Sequence, residues 1–347
     1  MVNPAKIAAL FPGQGSQTVG MGRDLAERWR SAARVFEAID SGLDTHLSEL
    51  CWNGPEDELR LTENTQPALL SHSVAAWTVL SDAGFEVGAV AGHSLGEYSA
   101  VVAACGLDVA DAARTVRLRG RLMQQAVPVG EGAMAAVIGL DDEEVKAACK
   151  EEEASGSGSV RAVNFNSPGQ VVIAGSAASV AGAGERLTES GARRVLPLPV
   201  SAPFHSPLMA PARKGLEPTL QKLDFQPLAV PLYRNVDAGR VEEPDKVRDG
   251  LIRQVDAPVL WSEIIRQMRA DGFETFVEVG LELKERSPFA STIVVGIANG
   301  YNGYLPTPAQ HELGGYETWL GTSRVAVDSE PAIVATLLAQ FGELAEE

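Results

Sequence analysis

The sequence predicts an α/β protein with a parallel sheet and an inserted smaller unit. Short apolar runs alternate with helical patterns through residues 1–130 and again through residues 200–280, which is the order of a βα architecture. Between them, residues 131–199 follow the order β-α-β-β-α-β, which is typical of a ferredoxin-like split βαβ unit. We therefore expect the two outer segments to form one large domain around the inserted one.

The elements of the large domain follow from apolar periodicity and from turn residues. Its predicted strands are short and continuously apolar, as buried parallel strands are. In chain order, we predict a strand at 7–11, helices at 22–39 and 67–83, a strand at 87–92, helices at 95–104 and 111–125, a helix at 210–223, a strand at 230–235, helices at 244–254 and from 261, and a strand at 275–279.

The elements of the inserted unit are predicted in the same way. The turn sequence at residues 166–169 joins its two middle strands. In chain order, we predict a strand at 133–140, a charged helix at 141–153, strands at 160–164 and 170–174, an alanine-rich helix at 176–190 and a strand at 193–198.

Composition excludes several classes of function. The chain has 347 residues, of which 45% are apolar and 22% charged, and this is ordinary globular composition. No run approaches the roughly 18 apolar residues of a membrane span. The net charge of −17 opposes binding to nucleic acid or to an anionic membrane. Three cysteines without a CxxC pair favour reduced thiols in a cytoplasmic protein. We also expect a monomer without a metal.

The segment Gly92-His93-Ser94-Leu95-Gly96 is the strongest local motif. It fits G-x-S-x-G between a predicted strand and a predicted helix, which is the context of a nucleophile elbow. The helix that follows directs free N–H groups at the site and favours developing negative charge. The sequence therefore predicts that Ser94 is a nucleophile; the alternative is a plain strand–helix turn.

A nucleophilic serine needs a base, and histidine is the usual one. His205 lies in an apolar loop at residues 201–207, between two prolines. The side chain of His93 should point away from that of Ser94, and the other histidines lie in a polar helix end, a buried helix and the tail (His46, His72, His311). Elimination favours His205, although a loop histidine bonded to backbone is the alternative. No acidic partner stands out, so a backbone carbonyl would fix its tautomer.

The glycine-rich loop at residues 13–17 follows the first strand. It is not a Walker A loop, because no Lys-Ser or Lys-Thr follows its last glycine, and the dinucleotide pattern needs a glycine at Thr18. What remains is a backbone that approaches a ligand closely. Its N–H groups would supply half of an oxyanion hole, with Leu95 supplying the other half.

Four arginines share the predicted helix at residues 111–125, at positions 114, 117, 119 and 121. At about 100° per residue, Arg114, Arg117 and Arg121 fall on one face. We interpret this face as solvated or as a docking patch for an acidic partner. Arg119 falls on the apolar face, where a guanidinium needs an anion. An internal carboxylate and a substrate carboxylate held by two parallel hydrogen bonds satisfy this need equally well.

Nine ordered blocks, spread over about residues 7–280, resemble the malonyl-CoA:acyl carrier protein transacylases of fatty-acid and polyketide synthesis. The blocks are FPGQGSQ, TQPA, GHSLGEYSA, RG-x-x-M, NSPGQVVIAG, SAPFHS, NVDA, QVDAPVLW and FVEVG. The resemblance implies an α/β-hydrolase-like large domain with an inserted ferredoxin-like domain. It also implies malonyl transfer, through a malonyl-serine, from malonyl-CoA to the phosphopantetheine thiol of acyl carrier protein, without a cofactor.

The resemblance implies roles for particular residues. Ser94 would be the acylated nucleophile and His205 its base, with Gln254 orienting His205 through its backbone carbonyl. The backbone N–H groups of Gln14 and Leu95 would form the oxyanion hole. The malonyl carboxylate would be bound by the arginine at position 119. The alternatives are a serine acyl hydrolase or thioesterase with the same elbow, and a non-catalytic protein impaired by its tail.

The tail at residues 281–347 departs from the family. Leu281-Glu282-Leu283-Lys284 follows FVEVG, where family members usually continue with Pro-Gly. Residues 287–324 resemble the C-terminal part of a neutral/alkaline ceramidase-like protein, but the upstream histidines that would hold zinc are absent, so we infer no hydrolase activity there. We interpret the tail as an atypical C-terminal extension, such as a chimeric or mis-joined gene would produce.

Overall fold

The structure, a computed structural model, describes residues 3–200 and 202–280 and the backbone of residues 295–298. The rest of the predicted tail lies outside the described residues, so its ceramidase-like interpretation stays a prediction. The strands are β1 (Ile7–Phe11), β2 (Ala89–Gly92), β3 (Gly132–Ile138), β4 (Val160–Ser167), β5 (Gln170–Ser176), β6 (Arg194–Pro197), β7 (Leu232–Tyr233), β8 (Arg240–Val241), β9 (Thr275–Val279) and β10 (Val295–Ala298).

The helices pack against both sheets. They are α1 (Arg23–Arg28), α2 (Arg30–Leu43), α3 (Leu47–Asn53), α4 (Glu56–Leu59), α5 (Thr62–Asp82), α6 (Gly96–Ala103), α7 (Val109–Gln125), α8 (Asp142–Ala154), α9 (Ala177–Glu189), α10 (Ala210–Lys222), α11 (Pro244–Gln254) and α12 (Trp261–Ala270). Within the described ranges, no helix combines the length and the apolarity that crossing a bilayer requires.

The larger sheet has the strand order β10-β9-β1-β2-β7-β8. Its four inner strands run parallel, while β8 and β10 pair antiparallel at the two edges. Strand β1 is buried along its whole length: Ile7, Ala9 and Phe11 face one apolar core, and Ala8 and Leu10 face the other. Helices therefore cover both faces of this sheet, and the predicted α/β class is confirmed.

The smaller sheet has the strand order β4-β5-β3-β6 and is antiparallel throughout. Residues of α8 and α9 pack with one face of it, while Phe204 packs against the opposite face. The chain order of these elements is the predicted β-α-β-β-α-β. The domain limits at 1–130, 131–199, 200–280 and 281–347 stay a prediction.

Two helices differ from expectation. The single helix predicted at residues 22–39 is divided at Trp29, whose backbone is extended at φ −118° and ψ 120°. This bend lets the half-buried Trp29 ring pack against the larger core, with the Arg28 guanidinium 4.9 Å from its centre. Helix α5 begins at Thr62, five residues before Pro67 and not at it.

A short parallel bridge joins β4 of the smaller sheet to the loop between α11 and α12. The N–H of Phe165 donates to the carbonyl of Val259 at 2.9 Å, and the N–H of Val259 donates to the carbonyl of Val163 at 2.8 Å. The smaller sheet is thereby held beside the carboxyl ends of β1, β2 and β7. In α/β sheets, ligands bind outside this edge.

Candidate active site

Ser94 lies in the sharp turn between β2 and α6. Its φ of 52° falls in the left-handed region, which is uncommon for a residue with a side chain. Asn235, just after β7, holds the turn from both sides: its Oδ1 accepts the N–H of Ser94 at 2.7 Å, and its Nδ2 donates to the carbonyl of Gly92 at 2.7 Å. A strained backbone persists only where its surroundings over-determine it, and Asn235 supplies that restraint.

Glycine is required on both sides of the serine because the backbones approach closely. A Cβ at Gly96 would lie 2.1 Å from the carbonyl oxygen of Phe11, and one at Gly92 would lie 1.9 Å from the carbonyl of Gly96. Real Cβ atoms do not approach backbone atoms to these distances. The glycines therefore allow α6 to begin directly above the end of β1.

We expect Gly96→Ala to lower the free energy of unfolding by about 3 kcal/mol, because the added methyl group meets backbone that cannot move aside. Urea denaturation measures this change. The control is Gly130→Ala, at φ 88° with no atom within 4 Å of the new Cβ, which should cost only the backbone strain of about 1 kcal/mol. Equal losses in the two variants would contradict the close packing of the turn.

Ser94, His205 and Gln254 form a hydrogen-bonded chain. The Oγ of Ser94 lies 2.7 Å from Nε2 of His205, and Nδ1 of His205 lies 2.9 Å from the backbone carbonyl of Gln254. A carbonyl oxygen only accepts, so Nδ1 carries the proton and Nε2 is left to accept from the serine hydroxyl. Burial, and next the positive charge of Arg119, lower the pKa of His205 to about 3, so the ring is neutral at physiological pH.

Arg119, on α7, reaches the same serine from the apolar face of its helix. It is 1% exposed. Its guanidinium donates to Oγ of Ser94 at 3.1 Å, to Oε1 of Gln66 at 3.0 Å and to Oε1 of Gln254 at 2.9 Å. Burial lowers the pKa of Arg119, but arginine remains protonated in proteins. Within the described residues, its hydrogen bonds all go to uncharged oxygens, so the cation is buried without a carboxylate on it.

Gln254 also binds the turn through its side chain. Its Nε2 donates to the carbonyl of Ser94 and to Oε2 of Glu97, each at 2.8 Å. The same Oε2 accepts the N–H of Asn235 at 3.1 Å. Glu97 is completely buried, and burial raises the pKa of its carboxyl group to about 7.

Sequence reasoning did not single out three members of this network, Gln66, Glu97 and Asn235. All three lie in the blocks TQPA, GHSLGEYSA and NVDA. Those blocks were the available signal, but nothing in a linear sequence says which polar residues of a block face inward.

Gln14 and Leu95 follow the ends of two neighbouring strands. Strands β1 and β2 pair so that Phe11 is opposite Gly92, which brings the two following loops together. A Cβ at Gly13 would lie 2.8 Å from the carbonyl oxygen of His93, so the backbones of the loops are in contact. Leu95 precedes the first residue of α6, and the first N–H groups of a helix have no intrahelical partner.

The remaining histidines and arginines lie elsewhere. His93 points away from the serine; its Nε2 is 2.9 Å from Oδ1 of Asn166 and its ring lies edge-on to Trp261. His46 is exposed, His72 is buried in α5, and His311 is outside the described residues. The outer face of α7 carries the exposed or half-buried Arg114, Arg117 and Arg121. Throughout the described part of the chain, no group of three His, Cys, Asp or Glu side chains is placed to hold a metal ion.

Comparison with known proteins identifies the family. Residues 9–281 match the acyl transferase domain family. Over 276 residues the chain is 46% identical to the malonyl CoA-acyl carrier protein transacylase of Bacillus subtilis, with 80% of this chain and 87% of that protein covered. The chain belongs to the malonyl CoA-acyl carrier protein transacylase family. The resemblance carried by the nine sequence blocks is therefore confirmed.

Solved structures of this transacylase family agree with the fold. An acyl carrier protein S-malonyltransferase from Vibrio cholerae is 49% identical, superposes with a TM-score of 0.77, and the match covers 80% of this chain and 90% of that one. A malonyl-transacylase in complex with its type II PKS acyl-carrier protein is 44% identical, with a TM-score of 0.77 and coverage of 80% and 89%. The match to the family ends at residue 281, where the atypical tail begins.

Proposed function

We propose that this transacylase moves the malonyl group from malonyl-CoA to the phosphopantetheine thiol of acyl carrier protein. The proposal rests on two features that meet at one atom, the Oγ of Ser94. The Oγ of Ser94 contacts a neutral, oriented His205 and, at 3.1 Å, a buried guanidinium that has no carboxylate partner in the part of the chain that the structure describes. A nucleophile and a site for an acyl group with a distal negative charge thus coincide.

The first half-reaction forms a malonyl-serine. His205 accepts the proton of the Ser94 hydroxyl at Nε2 while Oγ attacks the thioester carbonyl carbon. The negative charge on the tetrahedral intermediate is stabilised by the backbone N–H groups of Gln14 and Leu95, aided by the N-terminus of α6. The carbon–sulfur bond then breaks, and the proton held by His205 goes to the leaving CoA sulfur.

The second half-reaction runs the same steps in the opposite direction. The phosphopantetheine thiol of the carrier gives its proton to His205 and attacks the malonyl-serine. The ester bond to Oγ breaks, and His205 returns the proton to Ser94. Each proton that His205 accepts is passed on and the acyl group leaves Ser94, so the cycle needs no cofactor. A type II PKS acyl-carrier protein in complex with its malonyl-transacylase, at 44% identity, supports acyl carrier protein as the partner.

Arg119 selects the malonyl group in this proposal. Its present partners are uncharged oxygens, and a carboxylate forms stronger, charge-assisted hydrogen bonds with a guanidinium than these do. Acetyl has no carboxylate and would leave the buried charge unpaired, which disfavours it by several kcal/mol.

The proposal also includes a location and an assembly state. A net charge of −17 disfavours nucleic acid and anionic membranes as partners. We place the activity in the cytoplasm, in a monomer whose large and inserted domains have the limits predicted above.

The decisive experiment is the mass of the intact protein after brief exposure to malonyl-CoA. The expected result is one added malonyl group, which persists in buffer and is discharged when the thiol-bearing form of acyl carrier protein is added. Rapid release of free malonate without an acceptor would instead indicate the hydrolase alternative. No adduct at all would indicate a protein that does not catalyse the transfer.

We expect His205 to remain neutral from pH 8 down to about pH 5, because its pKa is lowered to about 3 from the usual value near 6.5. As the pH falls, the lone pair on Nε2 is therefore kept until the pH approaches 3. Nitrogen NMR of histidine-labelled protein, with His205→Gln used to assign the signal, measures this directly. A titration of His205 centred near pH 6.5 would contradict the expectation.

A further inference from the structure

Glu97 is a buried ionisable group that the proposed mechanism does not use. It lies on α6, three residues after the nucleophile, and is completely buried. Its Oε2 accepts from two uncharged donors, the Gln254 side-chain amide at 2.8 Å and the Asn235 backbone N–H at 3.1 Å. Its Oε1 is buried and has no hydrogen-bond partner among the described residues. A carboxylate in such a place is costly to bury, which calls for a functional reason.

The contacts of Glu97 determine which way the Gln254 amide faces. Both strong acceptors of Nε2, the Glu97 carboxylate and the Ser94 carbonyl at 2.8 Å, can only accept. A weaker contact of 3.4 Å joins Nε2 to Oδ1 of Asn235. The amide oxygen must therefore face the other way, and there it accepts from the Arg119 guanidinium at 2.9 Å. In a flipped amide, the N–H groups would face those of the guanidinium and the amide oxygen would face the carboxylate oxygen. Both contacts would then be repulsive.

This orientation places Arg119 and Glu97 at opposite ends of one amide. The positive guanidinium donates to its oxygen, and its nitrogen donates to the Glu97 carboxyl group. With a pKa of about 7, that group is mostly ionised at pH 8, and there each charge polarises the amide in favour of the other contact. Arg119 thus has a counter-charge in the interior, but not in direct contact. A carboxylate bound directly to the guanidinium would occupy the donors that a malonyl carboxylate needs, whereas the amide relay leaves them available.

We propose that Glu97 is a positioning residue that, through Gln254, holds Arg119 ready for the carboxylate of the acyl group and so sets the preference for malonyl. This inference rests on the proposed function. A purely structural role is the competing interpretation, since Glu97 also holds the backbone of Asn235, which restrains the Ser94 turn. The two roles differ in what they affect: a structural role changes all reactions of Ser94, while positioning of Arg119 changes only those of acyl groups with a carboxylate.

The test is Glu97→Gln, which keeps the shape and removes the charge. Single-turnover acylation of Ser94 by malonyl-CoA and by acetyl-CoA is followed by intact mass, and labelling by phenylmethylsulfonyl fluoride reports the reactivity of Ser94 itself. We expect the malonyl-to-acetyl rate ratio to fall about tenfold or more, as for loss of a hydrogen bond to a charged group, with sulfonyl labelling retained. An unchanged ratio, or an equal loss in all three reactions, would overturn the proposal.

Two further variants serve as a control and as an alternative test. Glu152→Gln neutralises a carboxylate on α8, in the inserted unit. Glu152 is 6% exposed and pairs with Arg186, and its loss should leave the malonyl-to-acetyl rate ratio unchanged. If Glu97→Gln folds poorly, Gln254→Met breaks the same relay while keeping the backbone carbonyl that orients His205. This variant should lower the malonyl-to-acetyl ratio to a similar extent. An unchanged ratio in Gln254→Met would also overturn the proposal. Malonylation of the unaltered protein is measured alongside, because its absence would refute the proposed function and not this inference alone.

Discussion

Ser94→Ala is expected to abolish the malonyl adduct and to reduce transfer on the order of 10⁶-fold, as removal of other serine nucleophiles does. The structure gives the reason, since Oγ of Ser94 is the atom that both His205 and Arg119 contact. The measurement is intact mass after exposure to malonyl-CoA, together with transfer to acyl carrier protein. Folding should persist, because the backbone N–H and not the hydroxyl binds Asn235.

The matched control for this variant is Ser99→Ala. Ser99 lies on the same helix, is 1% exposed, and its hydroxyl has no hydrogen-bond partner among the described residues. It should be labelled as fully as the unaltered protein. Persistence of the adduct in Ser94→Ala would move the nucleophile to another residue and would refute the mechanism.

Arg119→Ala is expected to slow acylation by malonyl-CoA roughly a thousandfold, equivalent to about 4 kcal/mol, because it removes the cation that contacts the nucleophile. Acylation by acetyl-CoA should not fall in parallel, since acetyl makes no ionic contact with the guanidinium. Competition between the two thioesters, read by intact mass, measures the change in selectivity.

Arg121→Ala controls for loss of a positive charge from the same helix. Arg121 lies on the exposed face of α7 and pairs with Glu63 on the surface, where an ion pair contributes little. Arg119→Lys should fall between the extremes, because lysine keeps the charge but not the paired donors that match a carboxylate. Unchanged selectivity in Arg119→Ala would refute the assignment of the malonyl carboxylate to this residue.

Much of the fold could be predicted from local patterns. The run at residues 7–11 is uninterrupted in its apolarity because β1 is buried on both faces, and the structure has that strand at the predicted residues. Strand β8 could not be predicted, because two residues, Arg240–Val241, are too few to show a periodicity. The division of the first helix at Trp29 depends on packing against the larger core, which no local propensity records.

The site was predictable in part: local steric constraints can be recognised in the sequence, whereas contacts between distant segments cannot. The G-x-S-x-G turn is a local constraint of sterics, so five residues suffice to indicate it. The partnership of Ser94 with His205 spans 111 positions of the chain, and elimination among five histidines suggested it without showing it. For Arg119, the helical periodicity indicated a buried cation but left its anion open between an internal acid and a substrate.

By itself, the sequence determined the α/β class, the serine turn and the burial of Arg119, because each depends on interactions within a few residues of the chain. Only the tertiary structure decided what surrounds that serine. The Gln254 carbonyl selects the tautomer of His205, Asn235 restrains the strained turn, and Glu97 faces Arg119 across an amide. These contacts join segments far apart in the chain, and hydrogen-bond direction exists only once the fold has brought donor and acceptor together.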